Sequence, residues 1–155
     1  MDLNTKLAPN FTFAELTSTG HTSLLDKNRK EAEQYLDAGK ALAAMLQAIR
    51  DHFKKPVNIN SAFRGPSLNA AVGGSKTSQH MKFEAADFTV EGETLQVVFD
   101  WIRKHSGLKY GQVILEGRQP GKPTWIHLSL GEPWRPADRS RQQLAYDGKN
   151  YTNVA

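Results

Sequence analysis

The chain has 155 residues, of which 39% are hydrophobic and 23% are charged, and it contains no cysteine. These values are typical of one soluble globular domain, and they exclude disulfides, thiol catalysis and thiolate metal ligands. The net charge of +4 favours anionic partners only weakly, because the basic residues are scattered and form no block with interleaved aromatic residues. We therefore expect no nucleic-acid binding.

Membrane insertion and secretion are also not expected from the sequence. No apolar run reaches the length that is needed to cross a bilayer. The first residues, MDLNTKLAPN, lack the basic start and apolar stretch of a secretory signal. We therefore expect synthesis in the cytoplasm.

The N-terminal third predicts two aromatic anchors and a long helix. Phe11 and Phe13 in APNFTFAELT are expected to pin an N-terminal segment, with a short helix over FAEL, to the core. From about residue 29 to residue 53 the hydrophobic positions recur at helical spacing. These positions are Leu42, Met45, Leu46, Ile49 and Phe53. The helix is expected to end before Pro56, because proline disfavours helical geometry in the residue that precedes it.

The middle and C-terminal parts predict alternating strands and helices. VNINSAF favours a strand, and RGPSLNAAVGGSKTS favours one helical turn followed by a glycine-rich loop. A second strand over AADFTV, an amphipathic helix over ETLQVVFDWIRKH, and strands over YGQVILEG and TWIHLSL follow, the last two joined by the turn RQPGKP. The proline-rich, polar tail from residue 131 is expected to wrap the surface or fray. This order predicts an α+β domain with a small antiparallel sheet against two or three helices.

Three predicted strands each carry one ionisable residue on the face that their hydrophobic residues leave free. These residues are Asp87, Glu116 and His127, and His80 precedes Asp87 in a glycine-rich loop. If the strands are neighbours, the four side chains cluster. Catalytic zinc sites are typically built from histidine and carboxylate ligands and keep one position for water. Judged from the residues alone, the alternative is a polar turn before an ordinary strand, with histidines that are only structural.

Two further residues complete a possible hydrolytic site. A carboxylate that does not bind metal can move a proton from water to a leaving amine, and Glu116 is the candidate. Glu84 is the alternative candidate for this proton carrier, although strand alternation directs it to the face opposite Asp87. Arg64 follows the first predicted strand and is placed to stabilise a developing oxyanion. Three other histidines have no evident site: His21, His52 and His105.

The amino-acid sequence of the loop and the last strand resembles that of the M15 peptidases. This family comprises zinc D-Ala-D-Ala carboxypeptidases and dipeptidases, and phage endolysins that cut the L-Ala-D-Glu bond of peptidoglycan. Its motif S-x-H-x-x-G-x-A-x-D is met, except at the glycine, by Ser78, His80, Ala85 and Asp87. Its later W-x-H-x-S element is met by Trp125, His127 and Ser129. FTFAEL, the long helix and GGSKTSQH resemble the phage-type branch, so the resemblance covers about residues 10–130.

The resemblance implies a role for each matched residue. One zinc ion would be held by His80, Asp87 and His127, with Arg64 near the substrate carbonyl. Substrate binding is assigned to Ser78, Gln79, Trp125 and Ser129.

Two positions depart from the family pattern. The motif glycine is Phe83, so the turn after His80 is made without the residue that tolerates unusual backbone angles. Many members carry the catalytic acid three residues before the last histidine, where this chain has Thr124. The phage-type branch resembles this chain in having a glutamate on the preceding strand, which corresponds to Glu116.

The resemblance implies a hedgehog/D-Ala-D-Ala peptidase-like fold and one peptidase domain over residues 1–155, with its core at about 10–130 and a polar extension at 131–155. We expect a monomeric zinc peptidase that acts on peptidoglycan stem peptides. It would be made in the cytoplasm of a phage-infected or lysogenic bacterium and act on the wall after release. The alternatives are a D-Ala-D-Ala carboxypeptidase and a non-catalytic, zinc-containing wall-binding or virion protein.

Overall fold

A mixed six-stranded sheet forms the centre of the molecule in the computed structural model, which describes residues 1–119 and 121–154. The strands of the described part are β1 (Lys6–Ala8), β2 (Phe11–Thr12), β3 (Val57–Ser61), β4 (Ala85–Val90), β5 (Tyr110–Gln119), β6 (Lys122–Leu130), β7 (Gln142–Tyr146) and β8 (Tyr151–Asn153). The α-helices are α1 (Phe13–Leu16), α2 (Leu25–Ala32), α3 (Leu36–Phe53), α4 (Pro66–Ala71) and α5 (Leu95–Lys104). Short 3-10 turns cover Thr22–Leu24, Glu33–Tyr35, Gln79–Lys82 and Ala137–Arg139.

The strand order of the large sheet is β3-β4-β6-β5-β7-β8, and β1 pairs with β2 in a separate small ribbon. All neighbours in the large sheet are antiparallel except β5 and β7, which are parallel. The predicted α+β class is therefore confirmed. The order also makes β4, β6 and β5 adjacent, so the strands that carry Asp87, His127 and Glu116 lie side by side.

The apolar face of the sheet packs against α3 and α5. Phe88, Ile126 and Val113 from the three central strands are fully buried in one core with residues of both helices. The N-terminal anchors Phe11 and Phe13 are each 1% exposed in the same core, as predicted. Each buried side chain of this size contributes about 1.5–3 kcal/mol. The helices therefore fix one face of the sheet and leave the opposite face for polar residues.

The predicted long helix is divided into two. A 3-10 turn at Glu33–Tyr35 separates α2 from α3, and the Tyr35 ring lies 6.1 Å from that of Phe63. The predicted end at Phe53 is confirmed, because Lys54 adopts a left-handed conformation two residues before Pro56. The apolar stripe of α3 is buried in the core, as the helical spacing indicates.

The prediction for the C-terminal tail was wrong between residues 142 and 153. In this segment β7 pairs with β5, and β8 pairs with β7. The Tyr146 and Tyr151 rings stack at 4.4 Å. Without these strands, β5 would present a row of unpaired backbone groups at the sheet edge, which is unfavourable. The prolines that suggested an irregular tail lie before β7, in the connection from β6.

The turn between β5 and β6 is shorter than predicted. The strands extend to Gln119 and resume at Lys122, and Gly121 has a φ of +72°. Pro120, which belongs to the predicted turn, lies outside the described residues. No helix in the described part of the chain is both long and apolar enough to span a bilayer.

Candidate metal centre

Three side chains that were predicted as metal ligands meet on the polar face of the large sheet. One ligand atom from each of His80, Asp87 and His127 lies within 4.8 Å of the others, and we call this group the metal cluster. Asp87 on β4 is the direct cross-strand neighbour of His127 on β6, so strand pairing alone places them together. His80 comes from the 3-10 turn at Gln79–Lys82.

His80 is oriented by a hydrogen bond to the main chain. Its Nδ1 lies 2.7 Å from the carbonyl oxygen of Ala62, and because a carbonyl oxygen only accepts, Nδ1 must donate. In the neutral ring the lone pair of Nε2 is then free, and Nε2 lies 3.4 Å from Asp87 Oδ2. Two such acceptors repel each other unless a cation or a proton lies between them. A backbone carbonyl on the second ring nitrogen is typical of metal-binding histidines.

Asp87 links the two histidines. Its Oδ1 lies 2.9 Å from His127 Nδ1, while Oδ2 faces His80. Burial raises the pKa of Asp87, but the hydrogen bonds and charges of His127 and His80 lower it more, so the net pKa lies well below its usual range. The carboxylate is therefore ionised at neutral pH. Two imidazoles and one ionised carboxylate, with both histidines less than 10% exposed, form a donor set that fits a divalent ion such as zinc.

The turn that carries His80 is held by its two flanking residues. Ser78 Oγ accepts a hydrogen bond from the His80 main-chain nitrogen at 3.2 Å. Phe83, at the position of the motif glycine, has a φ of +62° and a fully buried ring that lies 5.3 Å from that of Phe63. Gly39 of α3 leaves room for this ring, since a Cβ there would lie 2.9 Å from it. The burial of Phe83, about 1.5–3 kcal/mol, offsets a left-handed cost of about 1–2 kcal/mol.

Glu116 lies on β5 next to the metal cluster. Burial raises the pKa of its carboxyl, and the negative charge of Asp87 adds to this effect. The net pKa of Glu116 remains raised, although three neighbouring groups lower it: His127, the indole of Trp125 and Arg64. Trp125 is its cross-strand neighbour, although the indole Nε1 itself is buried and has no partner of hydrogen-bonding geometry among the described residues. Glu116 is therefore a carboxyl that holds a proton more readily than usual.

A cavity of about 470 Å³ gives access to these groups, and we call it the metal cavity. Its wall includes the metal cluster, Glu116 and Arg64. Three of the four predicted substrate-binding residues also line it: Ser78, Gln79 and Trp125. Gln79 Oε1 lies 3.4 Å from His127 Nε2. One open space thus contains the proposed ligands, a carboxyl and a guanidinium.

Two of the sequence-predicted candidates lie elsewhere. Ser129 is fully buried, and its Oγ accepts a hydrogen bond from the main-chain nitrogen of Gln112 at 2.9 Å. It therefore stabilises the pairing of β5 with β6 and does not line the metal cavity. Glu84, the alternative candidate, directly precedes β4 and lines a neighbouring cavity that shares residues 77–79 with the metal cavity.

Arg64 is held beside the metal cluster by main-chain and side-chain contacts. Its main-chain nitrogen donates to the carbonyl oxygen of His80 at 3.0 Å, and Nη2 donates to Ser78 Oγ at 3.5 Å. Its Nε is buried and has no hydrogen-bond partner among the described residues. A guanidinium with a buried donor left over has the capacity to bind an additional oxygen atom.

The sequence reasoning missed residues of the C-terminal segment that line the metal cavity. Arg135, before β7, and Tyr151, on β8, both contribute to its wall. Nothing in the local pattern of either residue indicates a site, because Arg135 is placed by contacts within the connection between β6 and β7 and Tyr151 by the pairing of β8 with β7. Of the histidines without an evident site, His52 stacks on Trp101 at 4.1 Å, behind the sheet.

Comparison with known proteins identifies the family. No curated protein sequence matches the chain. The family described as Peptidase M15 matches residues 9–129, a range that covers most of the chain and includes the metal cluster, Glu116 and Arg64. Membership of this family implies peptidase activity, in agreement with the geometry of the metal cavity. The chain therefore belongs to the M15 peptidase family.

Proposed function

We propose that this protein is a zinc-dependent peptidase that hydrolyses amide bonds in peptidoglycan stem peptides, as an endopeptidase of the phage or prophage endolysin type. The observation that carries the proposal is the position of Glu116. Its carboxyl has a raised pKa and shares the metal cavity with the metal cluster without belonging to it. This division between ligands and a separate proton carrier is what amide hydrolysis requires.

His80, Asp87 and His127 would hold the ion. When bound, zinc lowers the pKa of a water molecule and polarises a carbonyl group. Glu116 accepts a proton from the attacking water and passes it to the amine nitrogen, as the carbon–oxygen bond forms and the carbon–nitrogen bond breaks. The same group must first accept and then donate a proton, and a carboxyl beside the metal cluster but outside it is placed for both steps. Arg64 donates from its guanidinium to the carbonyl oxygen as negative charge develops there.

Thr124 supports the choice of Glu116. The position three residues before His127, where many family members carry the acid, is an exposed threonine on β6 that does not line the metal cavity. A threonine hydroxyl does not replace a carboxyl as a proton carrier at neutral pH. The same feature favours the alternative of a non-catalytic, zinc-containing binding protein, and the two functions differ in what Glu116 does.

The decisive experiment compares the wild type with Glu116→Gln on purified peptidoglycan, with and without a chelator. We expect the wild type to release peptides with new amino termini, and the chelator to abolish this release. Glu116→Gln should retain zinc by elemental analysis and lose cleavage, because the amide cannot carry the proton. Glu91→Gln, at an exposed position that lines neither the metal cavity nor its neighbour, is the matched control and should retain cleavage.

Each other result has a defined meaning. Release of single D-Ala residues would identify a carboxypeptidase and contradict the endopeptidase proposal. Zinc binding without any release from the wild type would favour the binding protein. Full activity of Glu116→Gln would overturn the assignment of the proton carrier.

A further inference from the structure

Arg135 lies between two cavities. It lines the metal cavity, and it also lines a second cavity of about 330 Å³ that shares the loop at residues 77–79 with the first. It belongs to the connection between β6 and β7, beyond the residues matched by the family. A group bound to its guanidinium would therefore be part of a substrate that already occupies the metal cavity.

The side chain of Arg135 is oriented by neutral groups. Its Nε donates to the carbonyl oxygen of Arg139, and its Nη2 lies 3.4 Å from Gln142 Oε1. Its alkyl part passes over Gly111, where a Cβ would lie 2.9 Å from the Arg135 Cδ. The guanidinium is thus held in place without an acidic partner.

No carboxylate forms an ion pair with Arg135 in the described part of the chain. Glu84 is the acidic residue on the wall of the second cavity, and it acts on Arg135 only through its charge. The same wall carries further cations: Lys76, Lys82 and Arg139. The half-buried guanidinium therefore lies in a positive environment and retains its capacity for a charged acceptor.

We propose that Arg135 determines specificity by binding a carboxylate of the substrate at the junction of the two cavities. This inference rests on the proposed function, since it assumes a peptide in the metal cavity. A carboxylate is the best match, because a guanidinium binds its two oxygens in a planar, bidentate arrangement. A stem peptide with lysine at its third position offers two such groups, the free carboxylate of its glutamate and the C-terminal carboxylate.

The test uses synthetic stem peptides in which either the glutamate carboxylate or the C-terminal carboxylate is amidated. Cleavage is followed as kcat/KM, and binding of the same peptides to zinc-loaded Glu116→Gln protein is measured by calorimetry. For the wild-type protein, we expect one of the two amidations, and not the other, to weaken binding and to lower kcat/KM by about tenfold to hundredfold. This factor is the range of a charge-assisted hydrogen bond. The sensitive amidation identifies which carboxylate Arg135 binds.

Arg135→Gln should weaken binding of the peptide with the free carboxylate by a similar factor. It should also abolish the difference in binding and kcat/KM between this peptide and its amidated form. Arg135→Lys keeps the positive charge but not the bidentate geometry of the guanidinium. It should therefore retain part of the difference between the acidic and the amidated peptide. Lys104→Gln removes the same charge from an exposed position on α5 that lines neither cavity, and it should leave the difference intact.

The results separate this inference from the proposed function. Cleavage with the same preference in Arg135→Gln as in the wild type would overturn the role of Arg135 and leave the peptidase intact. Carboxylate-selective binding that depends on Arg135, without cleavage by the wild type, would support the inference and contradict the peptidase. Equal cleavage of all peptides by the wild type would also overturn the inference.

Discussion

At the scale of single residues, Phe83 has a backbone conformation that its side chain disfavours. Its φ is +62°, its ring is fully buried, and it occupies the position at which the family motif has glycine. The left-handed conformation costs a non-glycine residue about 1–2 kcal/mol. The turn that presents His80 therefore depends on the packing of this ring and not on local backbone freedom.

Substitutions at Phe83 should reverse the usual order of alanine and glycine. Phe83→Ala loses the ring but keeps the strain, so we expect it to lower the free energy of unfolding by about 3–5 kcal/mol. Phe83→Gly also removes the strain and should be about 1–2 kcal/mol more stable than the alanine variant. Urea-induced unfolding measures both values.

Phe88 supplies the matched control. It is fully buried on β4, and its backbone is extended, so glycine should there be less stable than alanine. An alanine variant at residue 83 that is more stable than the glycine variant would contradict the strain argument.

At the scale of elements, the edge of the large sheet depends on the C-terminal segment. The pairing of β7 with β5 runs from Gln112 to Glu116 on the inner strand, next to the metal cavity. Removing β7 and β8 would leave a long edge strand with unpaired backbone groups, which favours intermolecular pairing.

A chain that ends after residue 141 should therefore aggregate and lose peptidase activity. Size-exclusion chromatography with light scattering checks the first effect, and peptidoglycan cleavage checks the second. Tyr151→Ala is the control, because it removes a side chain of the metal cavity and keeps both strands, so it should elute like the full chain. Unchanged elution and unfolding of the truncated chain would contradict the role of the edge pairing.

The central strands were predictable from the sequence because their signal is local. In β4 and β6, alternation separates buried residues such as Phe88 and Ile126 from the proposed ligands Asp87 and His127, and this fixes which face each side chain takes. In β7 all five residues are partly buried, so there is no alternation to detect. Arg135 was missed for a related reason, since its position depends on contacts of the irregular connection between β6 and β7, including the hydrogen bond from its main-chain nitrogen to the carbonyl oxygen of Gly131.

At the scale of the whole molecule, the metal cluster connects distant parts of the chain. His80, Asp87 and His127 come from a turn and from two strands, and the unfolded chain offers no such assembled site. Metal binding at this cluster would therefore stabilise the folded chain.

Zinc should raise the melting temperature of the wild type and not that of Asp87→Ala. At a zinc concentration about 1,000 times Kd the linkage is worth about 4 kcal/mol, which corresponds to about 8–16 °C for a chain of this size. Calorimetry with zinc and with chelator measures the difference within each variant, so the intrinsic stability of Asp87→Ala cancels. Glu91→Gln, at an exposed turn position, should behave like the wild type. An equal zinc effect in Asp87→Ala would exclude Asp87 as a ligand.

The direct pairing of Asp87 with His127 has a further consequence for assembly of the protein. A slip of one residue between β4 and β6 would turn the side chains of one strand to the opposite face, and the two ligands would no longer meet. Only the correctly aligned sheet would therefore bind the ion tightly. The ion would stabilise only sheets with the correct alignment, and it would do so only after the chain has been made as far as residue 127. In this protein the metal would stabilise the correct strand alignment late in folding, in addition to its role in the metal cavity.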